Sequence, residues 1–258
     1  MTIAQDDRFT FDVQGYLHLR GVLGADEVAE YLGWIDEVAG SDVQQLNADF
    51  PDGMKQQLNR PLSRMWDADS RFARFLDHPV VVPYLVEFLG EEYRHIDNDL
   101  YFTYPGYGGG HWHRGVRAHP TGHVVDGQFI CPMVKVFYCL TDVRAGEGEF
   151  VVIPGSHKAQ FNVEYDGRID LPGQHIFDEV NAGDVIIFNE GLIHNGRPNP
   201  SQKTRKTIIV NFGRKQAGVW RGYRPKPETV ARLTPAQARI LSNENPEFWK
   251  EPQLITAE

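Results

Sequence analysis

Cysteine is scarce. The chain of 258 residues holds two, Cys131 and Cys139, and both fall in one apolar run. As a single strand, that run would point both side chains the same way and hold them too far apart to bridge. A disulfide framework is therefore excluded, and the expectation is two core thiols in a reducing compartment. Long apolar runs are also missing, so no segment reads as a membrane span. The opening MTIAQDDRF lacks the apolar stretch of an export signal. The protein is read as cytoplasmic, with no membrane partner. Positive charge is in deficit too: Lys and Arg number 26 against 35 Asp and Glu, a net charge of -9. No basic stripe suited to a nucleic acid stands out, and nucleic acid is excluded as a partner. Internal repeats and low-complexity segments are absent.

What is present is an ordinary globular composition, 41% hydrophobic and 24% charged. The length suits one domain over residues 1–258. Alternation over 16–22 predicts a short strand. Asp26 caps a helix reaching about Val38, with Val28, Tyr31, Leu32 and Ile35 on one face. Residues 41–62, rich in Asp, Asn, Gln and Pro, read as a loop that could cover a site. Helices are expected over 62–76 and 79–90. After residue 96 the period changes, and short β-rich runs at 100–104, 129–140, 149–153, 184–188 and 207–212 alternate with Gly and Pro turns. Thr234 and Pro235 open a last helix to about Leu241. The expected fold is mainly β with flanking helices: a double-stranded β-helix, or jelly roll, with a helical part to about residue 95 and a helical tail from about 224.

Ten histidines are present, and three stand out. His111 and His113 lie in Gly108-Gly-Gly-His-Trp-His-Arg-Gly115, on one side if that segment is a strand. His194 lies just past the apolar strand that begins at Asp184. Any one of them alone would read as a hydrogen-bonded core or surface histidine; the set at this spacing reads as a metal site. Further on, Arg205 heads the strand 207–212. Its planar guanidinium suits a carboxylate, although with Lys203 and Lys206 it also fits a basic strand edge.

These segments resemble the phytanoyl-CoA dioxygenase-like branch of the iron(II)/2-oxoglutarate oxygenases over roughly residues 9–213. The resemblance is carried by the opening Phe11-Asp-Val-Gln-Gly-Tyr-Leu17, by Leu140-Thr-Asp-Val143, by Gly148 through Pro154-Gly-Ser-His-Lys158, and by Gly183-Asp184 through His194 to Arg205. It implies that His113 and His194 hold iron(II) and that Arg205 binds the far carboxylate of 2-oxoglutarate. It places Phe137 beside that co-substrate. Lys135 is assigned to the co-substrate as well, or to a glutamate. Dioxygen and a small molecule would be the other partners. His157 is read as part of the turn. Asn98, Tyr101, Arg117, Lys135 and the 41–62 loop are candidates for lining the substrate pocket.

One departure matters. The family's His-x-Asp motif reads His113-Arg114-Gly115 here, so glycine stands where the carboxylate ligand should be. Gly115 is therefore read as a vacant position on the metal for chloride or water. The similarity to iron/2-oxoglutarate halogenases, which share this glycine or an alanine, implies halogenation, most simply chlorination. Hydroxylation is the alternative, with water or a substitute carboxylate, Glu149 or Glu190, in the gap. A three-histidine site that includes His111, and a non-catalytic binding protein, are the remaining readings. Trp112 and Arg114 alternate away from the site and are read as packing residues.

Overall fold

The computed structural model describes residues 2–39, 62–115, 123–125, 128–159, 164–220 and 224–242. It opens on a helix that the alternation at 16–22 did not predict, α1 (Gln5–Gln14). Gly15 ends this helix at φ 84°, the left-handed region glycine favours. A Cβ at Gly15 would also stand 2.5 Å from Nδ1 of His157, so the position needs glycine for space as well. β1 (Tyr16–Leu19) and α2 (Ala25–Ala39) follow. The helix expected over 62–76 is two pieces: α3 (Met65–Ala68) and a 3-10 turn over Ser70–Phe75. Asp69 divides them by accepting the Arg71 N–H on its side chain, which starts a new cap. α4 (Val82–Leu89) completes the helical half.

The remaining strands are β2 (Arg94–Thr103), β3 (His123–Val125), β4 (Gln128–Ile130), β5 (Met133–Cys139), β6 (Val143–Arg144), β7 (Phe150–Val152), β8 (His175–Ile176), β9 (Glu179–Val180), β10 (Val185–Asn189), β11 (His194–Gly196) and β12 (Arg205–Gly213). α5 (Pro227–Val230) and α6 (Pro235–Leu241) follow, the latter opened by a Thr234–Gln237 capping box. The run expected over 129–140 divides at Pro132, which has no N–H for a ladder. The two cysteines therefore do not share a face. Cys131 packs into the helix-side core and Cys139 into the core between the sheets. Burial pushes each thiol up to about 12, so both are inert.

A five-stranded antiparallel sheet runs β1-β10-β5-β12-β2, and a three-stranded sheet runs β11-β7-β8. One face of the larger sheet, including Val134, Val136, Tyr138, Val185, Ile187, Val210 and Phe212, packs on the helices. From its other face Phe137, Ile186, Phe188 and Ile209 meet Phe150 and Val152 of the smaller sheet. This is the expected jelly-roll architecture. Its central strands are covered on both faces, which replaces a clear apolar–polar alternation with near-continuous apolar runs. Among the described residues, no helix is long and apolar enough to cross a membrane.

Candidate metal centre

The segment before Gly115 runs alongside β11 as an irregular extra strand. Gly110 N–H donates to the Gly196 carbonyl at 2.9 Å. His113 and His194 exchange both backbone bonds, at 3.0 and 2.9 Å. This pairing brings the two imidazoles to 4.2 Å between centroids. The rings are tilted by 53° but anchored alike. Nδ1 of His113 lies 2.8 Å from the His111 carbonyl, and Nδ1 of His194 lies 2.9 Å from the Leu192 carbonyl. A carbonyl only accepts, so Nδ1 carries a proton in each ring, and in a neutral ring Nε2 then carries the lone pair. Such outer bonds fix the tautomer of metal-binding histidines. His194 is buried against Phe188 and Phe150, whose rings lie 5.1 and 5.8 Å away. Burial, with His113 and then Lys135 nearby, holds its imidazole well below its ordinary range. It is therefore neutral at neutral pH, the form that ligates a metal.

The Pro154-Gly-Ser-His157 turn supports this pair. Ser156 Oγ accepts the Ile193 N–H at 2.8 Å, and the Ile153 N–H donates to the Ile193 carbonyl at 2.9 Å. The residue before His194 is thus held on both sides, a role for Ser156 that the sequence did not reveal. His157 packs under Gly15 and is structural, as expected. Trp112 packs with Val151, Leu171 and Ile193, also as expected.

The space beside Gly115 is filled, contrary to the vacant position read from the sequence. A Cβ added there would stand 1.8 Å from Oε2 and 2.5 Å from Cδ of Glu190. Glu190 is fully buried, its carbonyl accepts the Gly115 N–H at 3.0 Å, and its carboxylate forms an ion pair with Lys135. The Glu190 carboxylate occupies the volume that a side chain at 115 would fill. Glu149 is different. Its Oε1 accepts the Gly146 N–H at 2.7 Å, which commits that carboxylate to a turn. His111 is exposed, with its ring 5.3 Å from that of His113; its carbonyl, not its imidazole, serves the site. Among the described residues, no three His, Cys, Asp or Glu side chains converge as a ready metal cage.

Arg205 lies at the head of β12, opposite Thr103. Its neighbours Lys203 and Lys206 pair outward with Glu147 and Asp36, while Arg205 is buried. One terminal nitrogen donates to the Gly148 carbonyl, and the guanidinium carbon stands 5.8 Å from the Tyr101 ring centroid. Its buried Nε has no hydrogen-bond partner among the described residues. A buried donor of this kind calls for an acceptor, and a carboxylate supplies one. Phe137 lies between Phe150 and Phe188 at 4.8 and 5.1 Å, on the same face as Lys135. Lys135 is held by Glu190, the partner its sequence context left open.

Asn98 is misassigned by the sequence. Its side chain accepts the Met65 N–H at 3.1 Å and contacts His95 at 3.0 Å, on the helix side of the sheet. Tyr101 does face inward. Arg117 and most of the 41–62 loop lie outside the described residues. Asp97 and Asn211, paired across β2 and β12, are buried polar residues that sequence reasoning missed. The signal was available: polar residues at every second position of apolar strands mark the inner face.

Comparison with known proteins gives a consistent result. The family model for phytanoyl-CoA dioxygenase (PhyH) matches residues 11–207. Dioxygenase olcK of Penicillium canescens is 36% identical over 78 residues, which is 30% of this chain and 24% of that protein. Dioxygenase FUM3 of Gibberella moniliformis is 26% identical over 100 residues, 39% of this chain and 32% of that one. The matched stretches thus span about a quarter to a third of these relatives' length. Among solved structures, HygX of Streptomyces hygroscopicus with nickel and 2-oxoglutarate bound has a TM-score of 0.69 at 21% identity, over 86% of this chain and 91% of its own. EctD of S. alaskensis, in its apoform, gives 0.69 at 20% identity, over 93% and 88%. These likenesses establish the fold.

Proposed function

This chain belongs to the phytanoyl-CoA dioxygenase family, and we propose that it is an iron(II)- and 2-oxoglutarate-dependent oxygenase that hydroxylates an aliphatic C–H bond of a small molecule. The observation that carries this reading is the His113–His194 pair, with both Nδ1 atoms on carbonyls, which leaves Nε2 as the ligating atom of each neutral ring. These residues fit an iron ion, and Arg205, with its buried Nε, fits the far carboxylate of 2-oxoglutarate. When bound, iron with 2-oxoglutarate and dioxygen supplies the oxidant for the C–H bond, and the co-substrate leaves as succinate and carbon dioxide. The chain's own share is positioning. The His111 and Leu192 carbonyls orient the two imidazoles. Phe137, Phe150 and Phe188 exclude water from their inner side. Lys135 balances the Glu190 charge at the same face.

Halogenation is the second reading, favoured by Gly115 in the sequence. It requires room for chloride in the space that the Glu190 carboxylate fills, and that carboxylate already brings the negative charge chloride would supply. Hydroxylation is therefore the better-supported outcome. The acyl-CoA substrate of the family's namesake is not carried over, because substrate pockets are built from variable loops. HygX has been solved with hygromycin B, which supports a small-molecule substrate here. We read the whole chain as one domain around this site.

The test is anaerobic addition of iron(II) and 2-oxoglutarate, followed by the visible charge-transfer band. The band should form in the native protein and in His111→Ala, and vanish in His113→Ala and His194→Ala. It should be indifferent to chloride. A chloride-dependent shift would return halogenation to first place. Absence of a band in the native protein would overturn the iron and 2-oxoglutarate reading.

A further inference from the structure

The Gly115–Glu190 contact carries more than the exclusion of chloride. We propose that Glu190 is the protein's carboxylate ligand to the metal, moved from its usual place after the proximal histidine to a turn before the distal one. The proposal rests on the reading of His113 and His194 as metal ligands.

Three observations converge. The first is position. The Gly115 N–H is bonded to the Glu190 carbonyl, so the backbone at 190 lies beside the position where His-x-Asp would place its aspartate. The second is volume. Oε2 of Glu190 is 1.8 Å from where a Cβ at 115 would sit, so an aspartate there and this glutamate exclude one another. The Glu190 carboxylate thus lies where the side chain of an aspartate at 115 would begin. The third is energetic. Glu190 is 0% exposed, and ionised carboxylates are rarely buried so completely without a task, because desolvation offsets much of what an ion pair gains. As the chain stands, the carboxylate is held by Lys135 and does not converge with the two imidazoles. A divalent cation on the two imidazoles would compete with that ammonium for Glu190, so metal loading and release of Lys135 are one event. Lys135, on the inner face beside Phe188, would then be available to an anionic group on the co-substrate or substrate.

Cobalt(II) binding in the absence of 2-oxoglutarate tests this without recourse to activity. Affinity is measured by competition with a chelator, and coordination by the cobalt d–d bands. Glu190→Gln should weaken binding by at least about tenfold, the lower end of what loss of a supporting residue costs a metal site. Gly115→Asp combined with Glu190→Ala should regain affinity to within a few-fold of the native protein, with similar bands. Native-like affinity in Glu190→Gln, alongside loss of binding in His194→Ala, would reduce Glu190 to the counter-ion of Lys135 and overturn the proposal. A double variant that binds no better than Glu190→Gln would overturn the exchange of positions. Where Glu190→Gln does not fold, the double variant alone decides. Native-like binding in His194→Ala would be a different failure, that of the metal-site reading itself.

Discussion

On its helix side the five-stranded sheet presents Val134, Val136, Tyr138, Ile187, Val210 and Phe212; on its inner side the same strands present Lys135, Phe137, Phe188, Thr207 and Asn211. Apart from the partly buried Lys135 both sets are buried, yet they are different materials. The helix side is an apolar core stacked on aromatic side chains, including Phe75 against Tyr138 at 4.7 Å and Tyr93 against Phe212 at 5.6 Å. The inner side mixes aromatics with the Lys135–Glu190 ion pair and a buried arginine, and it faces the smaller sheet that carries His194. The difference teaches a division of labour at single-residue resolution. Along each strand, one parity packs on the helices, and the other packs against the smaller sheet and carries the charged groups.

The largest effect that should sharpen this contrast is Phe212→Ala. It opens a cavity on the helix side and should destabilise by about 3–5 kcal/mol, read from urea unfolding. Any cobalt that binds the folded fraction should do so with native affinity. A loss under about 1 kcal/mol would show that this face is less tightly packed than described. Arg205→Ala probes the other face. It should cost about 2–5 kcal/mol in 2-oxoglutarate affinity, the range for removing one partner of a buried charged contact. It should shift the unfolding midpoint much less than Phe212→Ala does. Equal damage to stability and to co-substrate binding would break the division.

A smaller and graded effect comes from pH. An unfolded imidazole titrates near 6.5. Burial holds His95, on the helix side, at about 3, and His157, under the Gly15 turn, at about 4. Between these values and 6.5 the unfolded chain takes up a proton at each site and the folded chain does not. Their contribution is therefore fully present above about pH 6.5 and is lost as pH falls toward the folded values. The slope should be about 1.4 kcal/mol per pH unit for each histidine. Urea midpoints at pH 7, 6 and 5 measure it, and His95→Gln should flatten it. A midpoint constant over that range would contradict both assignments.

Much of this was legible beforehand. The strand at 185–189 and the histidine beyond it were readable because apolar runs and turn residues are local signals. Arg205 was distinguishable from its lysine neighbours only through a family resemblance; in the fold its parity makes the distinction. What was not legible depends on distant pairings. α1 was missed because Ala4 offers no side-chain cap. Asn98 was placed on the wrong face because the facing of β2 is set by its partner strand, where Asn98 lies opposite the helix-side Val210. Glu190 was one candidate among several, and nothing local could rank it: its relation to Gly115 exists only once residue 115 lies beside the turn after β10.

The smaller sheet has a thermodynamic character of its own. β11, β7 and β8 have three, three and two residues, against ten in β2 and nine in β12. So few ladder bonds give this layer little cooperativity, and its amides should exchange with solvent through local opening well before the five-stranded sheet unfolds. Ser156, by holding the Ile193 amide, then acts as a latch on a sub-global fluctuation, and a bound metal would bridge that labile layer's outer strand at His113 to its inner one at His194. The ion would be a kinetic staple for the least stable part of the fold, and occupancy of the site would be written into the exchange lifetimes of β11.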